Sequence, residues 1–342
     1  MIVAEQKTID AIRGMIQKAR KIVITTHTNP DGDALGSSLA MQNYLILKGK
    51  QMNTVVPDPY ADYLSWMKGA DTICVFSESE GKATQLLNEA DLIFCMDYNA
   101  IKRVDTMADT LRAAPAPRIL IDHHLDPSDE FEQVLSTIHI SSTSELVYHF
   151  IGWMGDQSLM NTDIASCIYA GIITDTGSFS YSCNYESTFL ATANLIRLGI
   201  NGEHIHRLVY NTYSESRLRL LGHCLSERLV VLPDYQTAYI YLTKEDLEDF
   251  NYQVGDTEDV VNFALTIKGI RIAALFTDRN GYIRISLRSK GDFSVNEFAR
   301  EYFEGGGHRN AAGANSYLSL EETLKKFVNL LPSIREKLNQ VS

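Results

Sequence analysis

His27-Thr28-Asn29-Pro30-Asp31-Gly32-Asp33-Ala34-Leu35-Gly36 follows an apolar run, Lys21-Ile22-Val23-Ile24-Thr25-Thr26, that reads as a buried strand running into a loop. One imidazole and two carboxylates fall within seven residues at the end of that strand. Pro30 and Gly32 are placed to bend the backbone between them, so that the three side chains converge instead of alternating across a pleat. Hard divalent cations favour oxygen ligands, and an added imidazole suits manganese or a similar transition ion.

Three further segments repeat the pattern. Leu92-Ile93-Phe94-Cys95-Met96-Asp97 is an apolar run ending in a carboxylate, and Arg118-Ile119-Leu120-Ile121-Asp122-His123-His124 ends in a carboxylate and two imidazoles. Gly171-Ile172-Ile173-Thr174-Asp175-Thr176-Gly177 sets an acid beside a glycine. Taken singly, Asp97 could be a helix N-cap, His124 a solvated loop histidine and Asp175 a turn former. Capping does not explain why each lies at the end of an apolar run. In an open parallel sheet, ligands bind outside the carboxyl ends of the strands. Strand ends near 26, 97 and 122 would bring His27, Asp31, Asp33, Asp97, His123 and His124 to one edge.

These segments, with Ser286-Leu287-Arg288-Ser289 and Gly305-Gly306-Gly307-His308-Arg309-Asn310-Ala311-Ala312-Gly313 far downstream, resemble the DHH phosphoesterases and their associated C-terminal domain. The motifs span nearly the whole chain in the family's order. Length and layout are similar to those of the stand-alone bifunctional oligoribonuclease and pAp phosphatase group. The resemblance implies two divalent ions per chain, manganese with magnesium or cobalt as substitutes. His27, Asp31 and Asp97 would hold one ion and Asp33, Asp97, His123 and Asp175 the other, with Asp97 shared between cations about 3.5–4 Å apart. A water between them would attack phosphorus. His124 is left for phosphate contact or protonation of the leaving oxygen, and Asp122 for support of the imidazoles. Arg288, Ser289, Gly305, Gly306, Gly307, His308 and Arg309 would bind substrate, the glycines by letting backbone approach it and Arg288 by its planar fork. The family's run of four glycines is replaced at its first position by Glu304, which is expected to face solvent.

Composition narrows the substrate. The formal charge of −12 and the absence of a lysine-rich run disfavour a protein that tracks long nucleic acid by neutralising many phosphates. Two divalent ions would hold one or two phosphates without a basic groove. No apolar run approaches the roughly 18 residues of a membrane span. The stretch Met1 to Arg20 reads as an amphipathic helix and not a signal peptide. Five cysteines form no CxxC pair; Cys74, Cys95 and Cys167 lie in apolar runs and read as reduced core residues of a cytoplasmic protein. His139, His149, His204, His206 and His223 match no motif and read as packing or surface residues.

The fold expected is α/β. A mostly parallel sheet with helices on both faces, residues 1–200, is joined by a helical connector, 201–228, to a smaller α+β domain, 229–342. Strands are expected at 21–26, 53–57, 72–76, 91–97, 118–122 and 134–140, and helices at 34–48, 60–68, 81–89, 100–112, 142–154, 162–173 and 187–198. Gly199-Ile200-Asn201-Gly202 reads as a helix stop, and 204–228 as helical. In the second domain, strands 229–232, 236–242, 270–277 and 282–288 and helices 256–267, 294–303 and 319–337 are expected, with Asn280-Gly281 as a hairpin turn. The two domains would face each other across a cleft. The function expected is hydrolysis of short oligoribonucleotides to mononucleotides together with 3′-dephosphorylation of pAp, by a homodimer if the family habit holds. Exopolyphosphatase or linear dinucleotide phosphodiesterase chemistry on the same centre is the alternative, and a non-catalytic nucleotide sensor the remote one.

Overall fold

A computed structural model describes residues 4–279 and 281–340 as two compact units, Met1–Thr212 and Tyr213–Ser342. The first unit runs α1 (Gln6–Lys18), β1 (Lys21–Thr25), α2 (Gly32–Leu47), β2 (Gln51–Val56), β3 (Cys74–Val75), α3 (Glu80–Asn88), β4 (Leu92–Met96), α4 (Ala108–Ala113), β5 (Arg118–Asp122), β6 (Gln133–Ser136), α5 (Thr143–Trp153), α6 (Thr162–Asp175), α7 (Glu186–Arg197) and α8 (Gly202–Tyr210). Its strands form one sheet of order β3-β2-β1-β4-β5-β6, parallel at every pairing.

Both faces of that sheet are covered, which is why its central strands read as unbroken apolar runs. Alternation along each strand sorts the side chains. Ile22, Ile24, Phe94, Met96, Ile119 and Ile121 enter one core with the helices α1, α2, α5 and α6. Val23, Ile93, Cys95 and Leu120 enter another with α3 and α4. The strand order reverses between β1 and β4, and at such a switch point the connections leave on opposite faces and open a crevice. Register aligns the ends that matter: Thr25 pairs with Cys95 and Met96 with Ile121. The Asp97 amide then continues the ladder to the Ile121 carbonyl at 3.0 Å.

Helix α2 is buried along nearly its whole length and packs on α6 through small residues. A Cβ on Gly36 would lie 2.6 Å from the Cys167 carbonyl oxygen, and one on Gly32 would lie 2.4 Å from Thr174 Oγ1. Gly32 is therefore required by close helix approach. It is the first residue of α2 and not the bend expected from the sequence. The bend is at Asn29, whose φ is 48°.

The second unit runs α9 (Glu215–Ser226), β7 (Leu229–Leu232), β8 (Thr237–Leu242), α10 (Lys244–Asp249), α11 (Val260–Thr266), β9 (Ile272–Arg279), β10 (Tyr282–Ser289), α12 (Val295–Tyr302), β11 (Glu304–Gly307), β12 (Ala311–Ser316) and α13 (Leu320–Gln340). Its sheet, β11-β12-β10-β9-β8-β7, is antiparallel except where β8 meets β9.

Several expectations are corrected. Residues 60–68 are not an α-helix; single 3-10 turns stand at Asp62–Leu64 and Ala70–Thr72. The helix expected over 100–112 is broken at Asp105, φ 46° and ψ −119°, so only Ala108–Ala113 is α. The sixth strand stops at Ser136, well short of 140. Helix 204–228 is two helices, and Asn201 starts the first by accepting the His204 amide at 2.9 Å. The helix expected over 256–267 shrinks to Val260–Thr266, and α10 was not foreseen. Met1 to Val3 of the N-terminal stretch and Asn280 of the hairpin turn lie outside the described residues. All five cysteines are free and buried. No helix among the described residues is long and apolar enough to cross a membrane.

Replacing Gly36 by alanine drives a methyl into the backbone of α6, and overpacking of this kind costs about 1–3 kcal/mol. A lowered urea midpoint with unchanged cooperativity is the expected result; an unchanged midpoint would mean that the two helices can separate freely.

Candidate metal centre

The loop after β1, the residue after β4 and the end of β5 meet at the switch point. Asp31 N-caps α2, its Oδ1 accepting the amides of Asp33 and Ala34 at 3.0 Å each. Its other oxygen, Oδ2, lies 3.9 Å from His27 Nε2. The opposite nitrogen, Nδ1, lies 2.8 Å from the Thr28 carbonyl, so it carries the proton and leaves the Nε2 lone pair facing the carboxylates.

Asp97 is the centre of the arrangement. It is buried in a left-handed conformation, φ 63°, which swings its carboxylate off the line of the strand. Its Oδ2 lies 3.5 Å from His27 Nε2 and its Oδ1 lies 3.6 Å from His123 Nε2. His123 Nε2 is also 3.8 Å from Asp33 Oδ2 and 3.4 Å from Asp175 Oδ2. His124 Nδ1 donates to Asp122 Oδ1 at 2.7 Å, and the second Asp122 oxygen is buried without a partner.

Four of the six residues expected to ligate metal are buried, His27, Asp33, Asp97 and His123, and so is His124. Half of the Asp31 side chain is exposed, and Asp175 is partly so. Within single reach of one another are His27, Asp31 and Asp97; Asp33, His123 and Asp175; and Asp97, Asp122 and His124. Asp175 is the last residue of α6, beside the turn at Gly177, whose φ is 51°. A carboxylate there faces the negative end of the helix dipole and calls for a cation.

The groups fit metal ions. At ligand distances of about 2.1 Å, neighbouring ligand atoms lie roughly 3.0–3.4 Å apart, and separations of 3.4–3.9 Å are just beyond that and too long for hydrogen bonds. Electrostatics agree. Burial, and then the charge of Asp33 with those of Asp31, Asp122 and Asp175, pushes the Asp97 carboxyl far above the usual carboxylate range. Burial raises Asp33 to about 7 and Asp122 to about 6. It also holds His123 and His124 below the ordinary histidine value, hence neutral and able to ligate. A buried surplus of negative charge beside neutral imidazoles is complementary to cations.

Sequence reasoning placed a helix at 142–154 but missed what the first turn of α5 binds. The Thr143 and Ser144 amides donate to Asp33 Oδ2 and Oδ1 at 2.7 and 2.8 Å, and the Thr143 hydroxyl donates to Asp97 Oδ1 at 2.8 Å. Ser142-Thr143-Ser144-Glu145 carries a helix-start signature, Ser142 accepting the Glu145 amide at 3.0 Å, but nothing in it says which acid its free amides would take.

In the second unit, Gly305, Gly306 and Gly307 belong to β11 and pair with β12, a strand pair that the sequence did not announce. A Cβ on Gly305 would meet the Gly313 carbonyl at 2.5 Å, and one on Gly307, at φ 145°, the Ala311 carbonyl at 2.6 Å. Strand pairing therefore demands these two glycines. Gly306 has room for a side chain, and Glu304 is exposed. Ser289 donates to the Phe293 carbonyl at 2.7 Å, and Arg309 donates to the Asp292 carbonyl at 2.7 Å. Arg288 gives one hydrogen bond, to the Leu287 carbonyl at 3.1 Å, and its buried Nε has no partner. The His308 amide donates to the Ala311 carbonyl at 2.7 Å.

Residues 21–172 match the DHH family, N-terminal domain, and residues 234–336 match the DHHA1 domain. A solved exopolyphosphatase-related protein from Bacteroides fragilis is 43% identical, with 99% of each chain covered and a TM-score of 0.92. The chain belongs to the DHH family. The bifunctional oligoribonuclease and PAP phosphatase NrnA of Bacillus subtilis is 28% identical over 86% of this chain and 89% of its own length. A probable enzyme of the same name from Streptococcus mutans is 27% identical over 91% of this chain and 94% of its own.

Protons and metal compete for the same acids. An acid whose native pKa lies above its unfolded value binds protons more tightly when folded, so the metal-free protein loses stability as pH rises from about 4 to about 7. Divalent metal should reverse that trend. The rise in melting temperature on adding manganese is expected to grow steadily between pH 5 and 7.5; a rise independent of pH would exclude ligation by these groups.

Proposed function

We propose that this DHH phosphoesterase hydrolyses short oligoribonucleotides to mononucleotides and removes the 3′-phosphate of pAp, using two divalent ions, manganese by preference. His27, Asp31 and Asp97 take one ion, and Asp33, Asp97, His123 and Asp175 the other. The observation that carries the reading is Asp97 itself, whose two oxygens face two different imidazoles at 3.5 and 3.6 Å. Such a carboxylate is placed to be shared. Lewis acidity toward water and phosphate is what ions at this centre supply.

The chain's own groups do the rest. The Thr143 hydroxyl and the first amides of α5 fix Asp97 and Asp33 in place before substrate arrives. Asp122 orients His124 through Nδ1, leaving Nε2 for the substrate. In the substrate-free centre, burial and the neighbouring His123 keep His124 neutral. An entering phosphate brings the negative charge that lets Nε2 take a proton from solvent water, which it then hands to the leaving oxygen. In the DHHA1 domain, the unpaired Nε of Arg288 is a donor held in reserve for substrate, and His308 lies on the same motif. Ser289, Gly305, Gly306, Gly307 and Arg309 shape that motif around them. A net charge of −12 favours such small substrates over long nucleic acid.

Hydrolysis of pAp, a labelled diribonucleotide and a labelled pentaribonucleotide, with manganese and with chelator, decides the substrate. Manganese-dependent mononucleotide from the oligomers and phosphate from pAp are expected. Inertness to all three would move the activity to polyphosphate, the substrate suggested by the name of the Bacteroides relative. Outer partners of metal ligands already cost about 10–100-fold when removed. Asp97→Asn should therefore leave less than about 1% of turnover on any substrate; activity near wild type would sink the shared-carboxylate assignment. Arg288→Ala should weaken nucleotide substrates far more than a small chromogenic phosphoester, and equal losses on both would make its role structural.

A further inference from the structure

Arg103 lies six residues beyond Asp97, in the short 3-10 segment Ile101–Met107 that the sequence reading took for ordinary helix. Its backbone is pinned at both ends. The Arg103 amide donates to the Ala100 carbonyl, and its carbonyl accepts the Thr28 amide, both at 2.9 Å. The second bond ties it to the residue next to His27, and the break at Asp105 stops the segment from winding on as helix. The side chain is half-buried. Its charge reaches the centre, offsetting a little of the rise that burial imposes on the Asp122 carboxyl and adding to the burial that keeps His124 neutral.

Among the described residues, the Arg103 guanidinium nevertheless makes no hydrogen bond or ion pair. A guanidinium beside carboxylates normally closes on one as a fork. Arg112 does bind Glu130, at 3.0 Å, and Arg118 lies 3.9 Å from Glu132. Arg103 stays open although its charge is felt at Asp122, its backbone being held by the bonds to Ala100 and Thr28. Five donors in a planar fork suit the non-bridging oxygens of a phosphate better than any other ligand of this chemistry.

We infer that Arg103 is a substrate-contacting residue that grips the non-bridging oxygens of the phosphate entering beside His124. The inference rests on the phosphoesterase reading only for the identity of its ligand. A charge-assisted hydrogen bond is worth about 1.5–3 kcal/mol, or roughly 10–100-fold in affinity.

The test uses the full-length, manganese-loaded protein and inorganic phosphate as the probe, by calorimetric titration, with bound manganese measured by elemental analysis. Arg103→Ala should raise the phosphate Kd by about 10–100-fold while manganese per chain stays at the wild-type value. Arg103→Lys, which keeps the charge and loses the fork, should fall between the two and serves as the readout if the alanine variant does not fold. A phosphate Kd within about twofold of wild type in whichever variant folds overturns the inference, as does a wild type that binds no phosphate at millimolar concentration. Wild type that binds phosphate through Arg103 yet hydrolyses no nucleotide would leave the inference standing and remove the proposed activity. Wild type that hydrolyses pAp while Arg103→Ala binds phosphate as well as it does would remove the inference alone.

Discussion

Two carboxylates that repel each other, Asp33 and Asp97, are buried within one hydrogen-bonded frame, and much of the first unit serves to hold them there. Left alone, burial would neutralise them, and their pKa values rise accordingly. What prevents collapse is the N-terminus of α5. Its first two free amides satisfy both oxygens of Asp33, and the Thr143 hydroxyl takes one oxygen of Asp97. Those donors point at the acids from the positive end of a helix, where anionic groups are favoured. Glu145 locks that end in turn by accepting the Ser141 amide at 3.1 Å and the Thr188 hydroxyl at 2.7 Å. The frame stabilises the charged form only in part, and the remaining deficit is what a cation would fill.

Glycines set the distances on the other side. The acids of α2 and the acid that ends α6 come from helices that would stand farther apart with ordinary side chains at their contact. A Cβ on Gly171 would lie 1.9 Å from Ser144 Oγ and 2.8 Å from Asp33 Oδ1, so α5, α6 and α2 converge at a point with no room for a methyl group. Gly32 and Gly36 do the same along α2. Close packing thus brings three helix termini, which usually compete for solvent, into one polar cluster.

Much of this was legible in the sequence, and its limits are physical. The strands of the parallel sheet announce themselves because both faces are buried, so β1, β4 and β5 appear as apolar runs ending in the site residues. Helices α2, α5 and α6 were found within two residues at each end, as expected where caps are strong. What periodicity could not show was long-range partnership. Thr143 and Ser144 read as a helix start, and their bonds to Asp33, 110 and 111 residues away, have no local signal. Arg103 looked like one more helical arginine because the break at Asp105 depends on a left-handed acid that propensity does not mark. The strands β11 and β12 failed for the opposite reason: Gly and Ala are poor strand formers, and only the ladder in which β12 pairs with β10 and β11 with β12 makes them strands.

A glycine run invites the explanation that backbone must approach a ligand, and the same residues are accounted for by strand pairing at Gly305 and Gly307. Gly306 is the position where pairing makes no such demand, since a Cβ there would meet nothing nearer than Asn296 Oδ1 at 3.6 Å. That oxygen is itself buried without a hydrogen-bond partner. Side chains already satisfied, such as Ser289 and Arg309, hold the strand ends, whereas the buried Nε of Arg288 has no partner.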